Sequence, residues 1–119
     1  MKFSVIMVTY RRPHTLPRAI ESVLNQTYRN LELVVVNNDA APVEVPDDPR
    51  IRLFQHADRA SESHARNKAL GHATGDAICW ADDDDVMTRC TLEVAEYVFR
   101  VSPNAKLVHG GIVLPDCHV

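Results

Sequence analysis

The chain has 119 residues, of which 45% are apolar and 24% charged, and its formal charge is −3. That size and balance describe one globular domain, or part of one, able to bury a core without staples, and they exclude wholesale disorder. There is neither a basic surplus suited to nucleic acid nor an apolar run long enough to span a bilayer.

Met1 to Tyr10 hold one Lys and a short apolar stretch that runs into Arg11 and Arg12 without a small-residue cleavage site. This reads as a strand over 3–9, buried on both faces, and not as a signal peptide. Helical spacing follows over 15–26, where Leu16, Ala19, Ile20, Val23 and Leu24 make one apolar stripe, with Thr15 as N-cap and Pro17 tolerated in the first turn. A second buried strand is expected over 31–37, a proline- and aspartate-rich loop over 38–49, and a short strand over 51–55 that could sit at an edge. Residues 61–73 read as a helix with Ala65, Ala69, Leu70 and Ala73 on one face and Gly75 helping to end it. A fourth strand is expected over 77–81, a helix over 88–101 capped by Thr88 with Leu92, Ala95, Val98 and Phe99 inward, and a fifth strand within 106–114, interrupted by Gly110-Gly111. The alternation predicts an α/β layer fold with a mostly parallel sheet flanked by helices.

In such a sheet, ligands bind beyond the carboxyl ends of the strands, where strand order reverses. Three expected strand ends carry polar residues there: Thr9-Tyr10-Arg11-Arg12, Asn37-Asn38-Asp39, and Asp82-Asp83-Asp84-Asp85. Without the four aspartates, 13 basic residues stand against 12 acidic ones, so the acidity of the chain is one local feature. Adjacent carboxylates repel, and either solvation on a turn or a hard divalent cation relieves them. The bland alternative is an acidic turn ahead of the helix near Thr88. The first of four glycines is Gly71, so no glycine-rich phosphate loop follows strand one. A phosphate ligand would then be held by metal and by basic side chains, with Arg11, Arg66 and Lys68 as candidates.

Five segments in order resemble the nucleotide-sugar-binding portion of family 2 glycosyltransferases, which have the GT-A fold. They are Ser4 to Pro13, Ala19 to Tyr28, Leu31 to Val36, Ala65-Arg66-Asn67-Lys68-Ala69-Leu70, and Ala73-Thr74-Gly75-Asp76 leading to Asp82–Asp85. The resemblance implies a domain that binds a nucleotide-diphosphate sugar, a UDP-sugar in the first instance, and transfers the sugar to an acceptor hydroxyl with inversion. It places Thr9, Tyr10, Arg11, Asn38, Arg66, Asp82 and Asp83 at the substrate. It makes Asp84, with Asp82, the ligands of Mn2+ or Mg2+ in an Asp-x-Asp motif. The family usually has two aspartates where Asn37 and Asn38 stand, which bears on base preference. The family's general base lies downstream. Asp116 does not sit in the expected motif, so residues 1–119 read as a single donor-binding domain without the acceptor half.

Two other classes compete: a non-catalytic nucleotide-binding or assembly module, and a phospho-receiver. A receiver needs acids after strand one, where Thr9-Tyr10-Arg11-Arg12 stands instead. His56, His64 and His72 are spaced by eight, without a compact ligand pair, and read as surface or capping histidines, while His109 could approach the sugar. Trp80 is expected to pack beneath the site, and Cys79 and Cys90 to be packing residues. Three widely spaced cysteines suit a cytoplasmic, reduced setting. A free sheet edge could pair with a second copy.

Overall fold

The computed structural model describes residues 1–56 and 61–111. In chain order the elements are β1 (Phe3–Thr9), α1 (Leu16–Leu24), β2 (Leu31–Asn37), β3 (Ile51–Gln55), α2 (Glu62–Gly71), β4 (Ala77–Trp80) and α3 (Thr91–Val101). The four strands form one sheet in the order β3-β2-β1-β4, parallel throughout.

The central strands explain their own sequences. On one face, Phe3, Val5, Met7, Leu33 and Val35 pack with Ala19, Ile20 and Val23 of α1 and Leu92 of α3. On the other, Ile6, Val34 and Val36 pack with Ala69 of α2. Both faces of β1 and β2 are covered, so their apolar residues run on without alternation. The chain leaves β1 for α1 on one face and enters β4 from α2 on the other. The crevice where strand order reverses therefore opens at the C-terminal ends of β1 and β4.

The opposite end of the sheet is tied by Glu32. Its carboxylate accepts from the Ser4 hydroxyl (2.7 Å), the Thr74 backbone N–H (2.7 Å) and Arg52 (3.1 Å), with the Lys2 ammonium at 3.6 Å. Burial alone would raise its pKa, but the bonds from Ser4, Thr74 and Arg52 win and bring it down to about 2. Gly75 lies against this knot. Its N–H donates to Ser4 Oγ at 2.7 Å, and a Cβ there would meet Ser4 Oγ at 2.6 Å and the Lys2 carbonyl at 2.7 Å. Gly75 is therefore needed for close approach to β1. The helix before it ends earlier, with His72 as C-cap.

Several local expectations are corrected. Thr15 precedes α1 but makes no side-chain capping bond, and neither Thr88 nor the actual N-cap Cys90 caps α3 through its side chain. Gln26 does that work from α1's end: its Oε1 accepts from the Leu92 N–H at 3.1 Å, while its Nε2 donates to the Thr88 carbonyl at 2.7 Å. Leu70 points outward, because α2 buries only Ala65 and Ala69. Trp80 is 52% exposed and does not pack beneath the site, since it faces outward on an edge strand. Cys79 is half-buried against the core, but Cys90 is exposed. Of the fifth strand expected over 106–114, residues 106–111 take no strand conformation. Leu107 is 83% exposed there, so the segment buries too little to be held in a sheet. Residues 112–114, Asp116 and Cys117 lie outside the described residues.

Candidate functional site

The parallel sheet brings the three polar strand ends to one rim. β1 and β2 run in register to Thr9 and Asn37, and the Asn38 N–H donates to the Thr9 carbonyl at 2.9 Å. β4 is shorter, and the Ala81 N–H donates to the Ile6 carbonyl at 3.0 Å, which lays the aspartate run alongside the end of β1.

A tight turn then sorts the four aspartates. The Asp85 N–H points to the Asp82 carbonyl at 3.4 Å. In such a turn the first and fourth residues come together. Carboxylate oxygens of Asp82, Asp84 and Asp85 lie within 4.8 Å of one another, all on exposed residues. Asp83 faces the other way and is buried. Burial raises its pKa, against the opposing effects of the Thr9 hydroxyl, Arg12 and the Tyr10 backbone N–H. The Thr9 hydroxyl stands beside that carboxylate but outside hydrogen-bond geometry, so Thr9 Oγ1 is buried without a partner. Burial, followed by the charges of Asp82 and Asp84, also raises the Asp85 pKa. Three hard oxygen donors under mutual repulsion fit a divalent cation such as Mg2+ or Mn2+.

Arginines bind the rim together. Arg11 pairs with Asp39 at 3.1 Å and joins the ends of β1 and β2. Arg12 pairs with Asp84 at 3.1 Å and Asp83 at 3.5 Å and joins β1 to the acid turn. Arg66 reaches Asp82 from α2 at 3.3 Å and stands 6.0 Å from the Trp80 ring centre. Arg11 has φ 53°, in the left-handed region where a non-glycine residue is uncommon. Such strain collects at functional positions.

Thr9, Tyr10, Arg11, Arg66 and Asp82–Asp85 thus share one neighbourhood, and Asn38 is buried beside it. Lys68 lies two residues beyond Arg66, and so on the far side of α2 from it. Asn37 is occupied in shaping the loop: its Nδ2 donates to the Ala41 carbonyl (2.7 Å) and its Oδ1 accepts from the Asp39 N–H (3.2 Å). Sequence reasoning missed Asp85 as a member of the cluster and Arg12 as its partner. A turn reading of four consecutive aspartates, pairing the first with the fourth, is the signal that would have found Asp85. His56 and His72 approach to 3.3 Å between their Nε2 atoms, away from this rim, and His72 stacks on Phe54.

The model of the family described as Glycosyl transferase family 2 matches residues 4–100. The chain belongs to that family. A beta-1,3-glucosyltransferase of Escherichia coli, named for transfer from UDP-Glc to alpha-D-GlcNAc-diphosphoundecaprenol, is 38% identical over 96 residues, covering 76% of this chain and 38% of that protein. A glucosyl-dolichyl phosphate glucuronosyltransferase of Haloferax volcanii is 34% identical, covering 98% of this chain and 39% of its own length. The chain thus spans well under half of these curated relatives. Among solved structures, a mannosyltransferase of Pyrobaculum calidifontis in complex with GDP-Man and Mn2+ superposes with a TM-score of 0.71 at 26% identity, over 82% of this chain and 32% of that one. TarS of S. aureus in complex with UDP-GlcNAc gives 0.73 at 24% identity, over 85% and 32%, a likeness of fold. The fold is that of GT-A glycosyltransferases, and the chain covers 20% of a longer TarS chain and 32% of the mannosyltransferase chain. No helix among the described residues is long and apolar enough to cross a membrane.

Proposed function

We propose that residues 1–119 are the donor-binding domain of a glycosyltransferase that uses a nucleotide-diphosphate sugar, a UDP-sugar first among candidates. The observation that carries the reading is the convergence of Asp82, Asp84 and Asp85 oxygens within 4.8 Å at the strand-order reversal of a family 2 chain. These three would hold Mn2+ or Mg2+, a wider set than Asp82 and Asp84 alone. Bound there, the ion supplies Lewis-acid neutralisation of the leaving diphosphate. Thr9, Tyr10, Arg11 and Asn38 line the nucleoside side of the rim. Asp83, turned inward against Thr9 and Tyr10, positions the end of β1. Arg66 adds a positive charge beside Asp82. In the transfer, the bond from the sugar carbon to the diphosphate breaks and the acceptor oxygen bonds to that carbon, with inversion as the resemblance implies. The acceptor's proton goes to a base outside the residues assigned here. The relatives are named for transfer reactions, which argues against a module without chemistry.

Thermal shift and calorimetry with UDP, GDP and their sugars, with and without Mn2+, test the reading. Binding stabilises the native state. The expected result is a metal-dependent rise in Tm and binding that Asp84→Asn weakens by at least about tenfold. Metal-independent binding, or none, would overturn it.

A further inference from the structure

Nine arginines fall among the described residues. Six pair with carboxylates: Arg11 with Asp39, Arg12 with Asp84, Arg50 with Asp48, Arg52 with Glu32, Arg66 with Asp82 and Arg100 with Glu96. Arg18, Arg29 and Arg89 make no ion pair with a described residue, and all three line one open groove of about 690 Å3. Arg18 comes from the exposed side of α1, Arg29 from the turn before β2, and Arg89 from the connection between β4 and α3. Glu21 is the one acidic residue on the lining, and no member of the acid turn belongs to it.

The walls of this groove are fixed to each other. The Thr27 N–H donates to the Arg89 carbonyl (2.9 Å), the Met87 N–H to Ser22 Oγ (3.0 Å), and Gln26 Nε2 to the Thr88 carbonyl (2.7 Å). Arg29 is braced by its bond to the Leu24 carbonyl at 3.4 Å. On the lining three guanidinium groups face Glu21 alone, and the Asp48 carboxylate acts on Arg29 from outside it, which leaves the groove positive on a chain whose total charge is −3. Guanidinium forks match phosphate oxygens in pairs, and like charges gathered in excess of their counter-charges favour an anion. The volume exceeds one phosphate and suits a diphosphate or a phospholipid headgroup.

We propose that the groove between α1 and the β4–α3 connection binds a phosphate-bearing ligand through Arg18, Arg29 and Arg89, apart from the acid turn. Calorimetry with inorganic pyrophosphate in EDTA, and co-sedimentation with phosphatidylglycerol against phosphatidylcholine vesicles, test this and separate a soluble phosphate from a lipid headgroup. The expected result is metal-independent binding to at least one of the two anionic probes, about tenfold weaker for Arg18→Gln or Arg89→Gln. The triple variant with Arg29→Gln should lose it while melting as the parent does, since all three side chains are exposed. Pyrophosphate binding alone assigns a soluble ligand, and vesicle binding alone assigns a headgroup. Asp84→Asn should leave either unchanged, so failure of the donor reading does not touch this one. No binding to either probe, binding that survives the single variants, or binding lost in Asp84→Asn would overturn the proposal.

Discussion

At Gly75 one hydrogen atom in place of a methyl group decides whether β1 and the turn before β4 can meet. An added Cβ would lie 2.7 Å from both the Lys2 carbonyl and the Ser4 nitrogen, and backbone atoms cannot swing aside. Gly75→Ala should therefore destabilise the fold by about 3 kcal/mol, read as a lower denaturant midpoint with an unchanged slope. A midpoint within experimental error of the parent would refute the close-approach account. The sequence marked this glycine only as a helix stop, because a contact between residues 75 and 4 leaves no trace in local spacing. The acid run behaves differently. Its position after a buried strand was legible, yet which three of the four carboxylates converge was set by the turn that turns Asp83 inward. Arg11 is a similar case: its residue type suggested a ligand contact, and the structure adds its left-handed backbone and its bond to Asp39.

Among the elements, β1, β2 and α1 were readable almost to the residue, because strands covered on both faces and a helix with one apolar stripe carry strong periodic signals. α3 was placed three residues early. Its first turn is fixed from a distance by Gln26, a fully buried amide at the end of α1 that holds both Thr88 and Leu92. Gln26→Ala should cost about 2 kcal/mol, since it leaves the buried Leu92 N–H without its partner, while the Thr88 carbonyl keeps its bonds from Thr91. Hydrogen exchange should then show the first turn of α3 opening more readily while β1 and β2 keep their protection. Uniform exchange across the sheet would contradict this local role. Residues 106–111, where a fifth strand was expected to begin, depart for the opposite reason: their apolar residues suggested burial, but Leu107 finds no surface among the described residues to cover it.

For the whole molecule, the sheet has one end tied together by Glu32 and another that carries the polar rim. Glu32 links β2 to β1, β3 and the turn before β4 at the first, and its pKa of about 2 lies below the ordinary value near 4.5. A carboxylate depressed in the folded state stabilises above its unfolded pKa, and that contribution disappears as pH falls through the folded value. Stability should therefore drop between about pH 4.5 and pH 2, and Glu32→Gln should melt lower at pH 7 with a flatter acid limb. An acid limb equally steep in the variant would assign the sensitivity elsewhere. The sequence by itself determined the α/β class, the central strands, the family and the polar strand ends that share one rim, because buried runs, helical stripes and strand-end polar residues are local signals. Only the tertiary structure decided that Asp85 joins Asp82 and Asp84, that Arg12 and Arg66 pair with that cluster, and that Arg18, Arg29 and Arg89 share a groove. Those facts depend on which distant side chains the sheet order and the turns bring face to face, and no spacing along the chain encodes them.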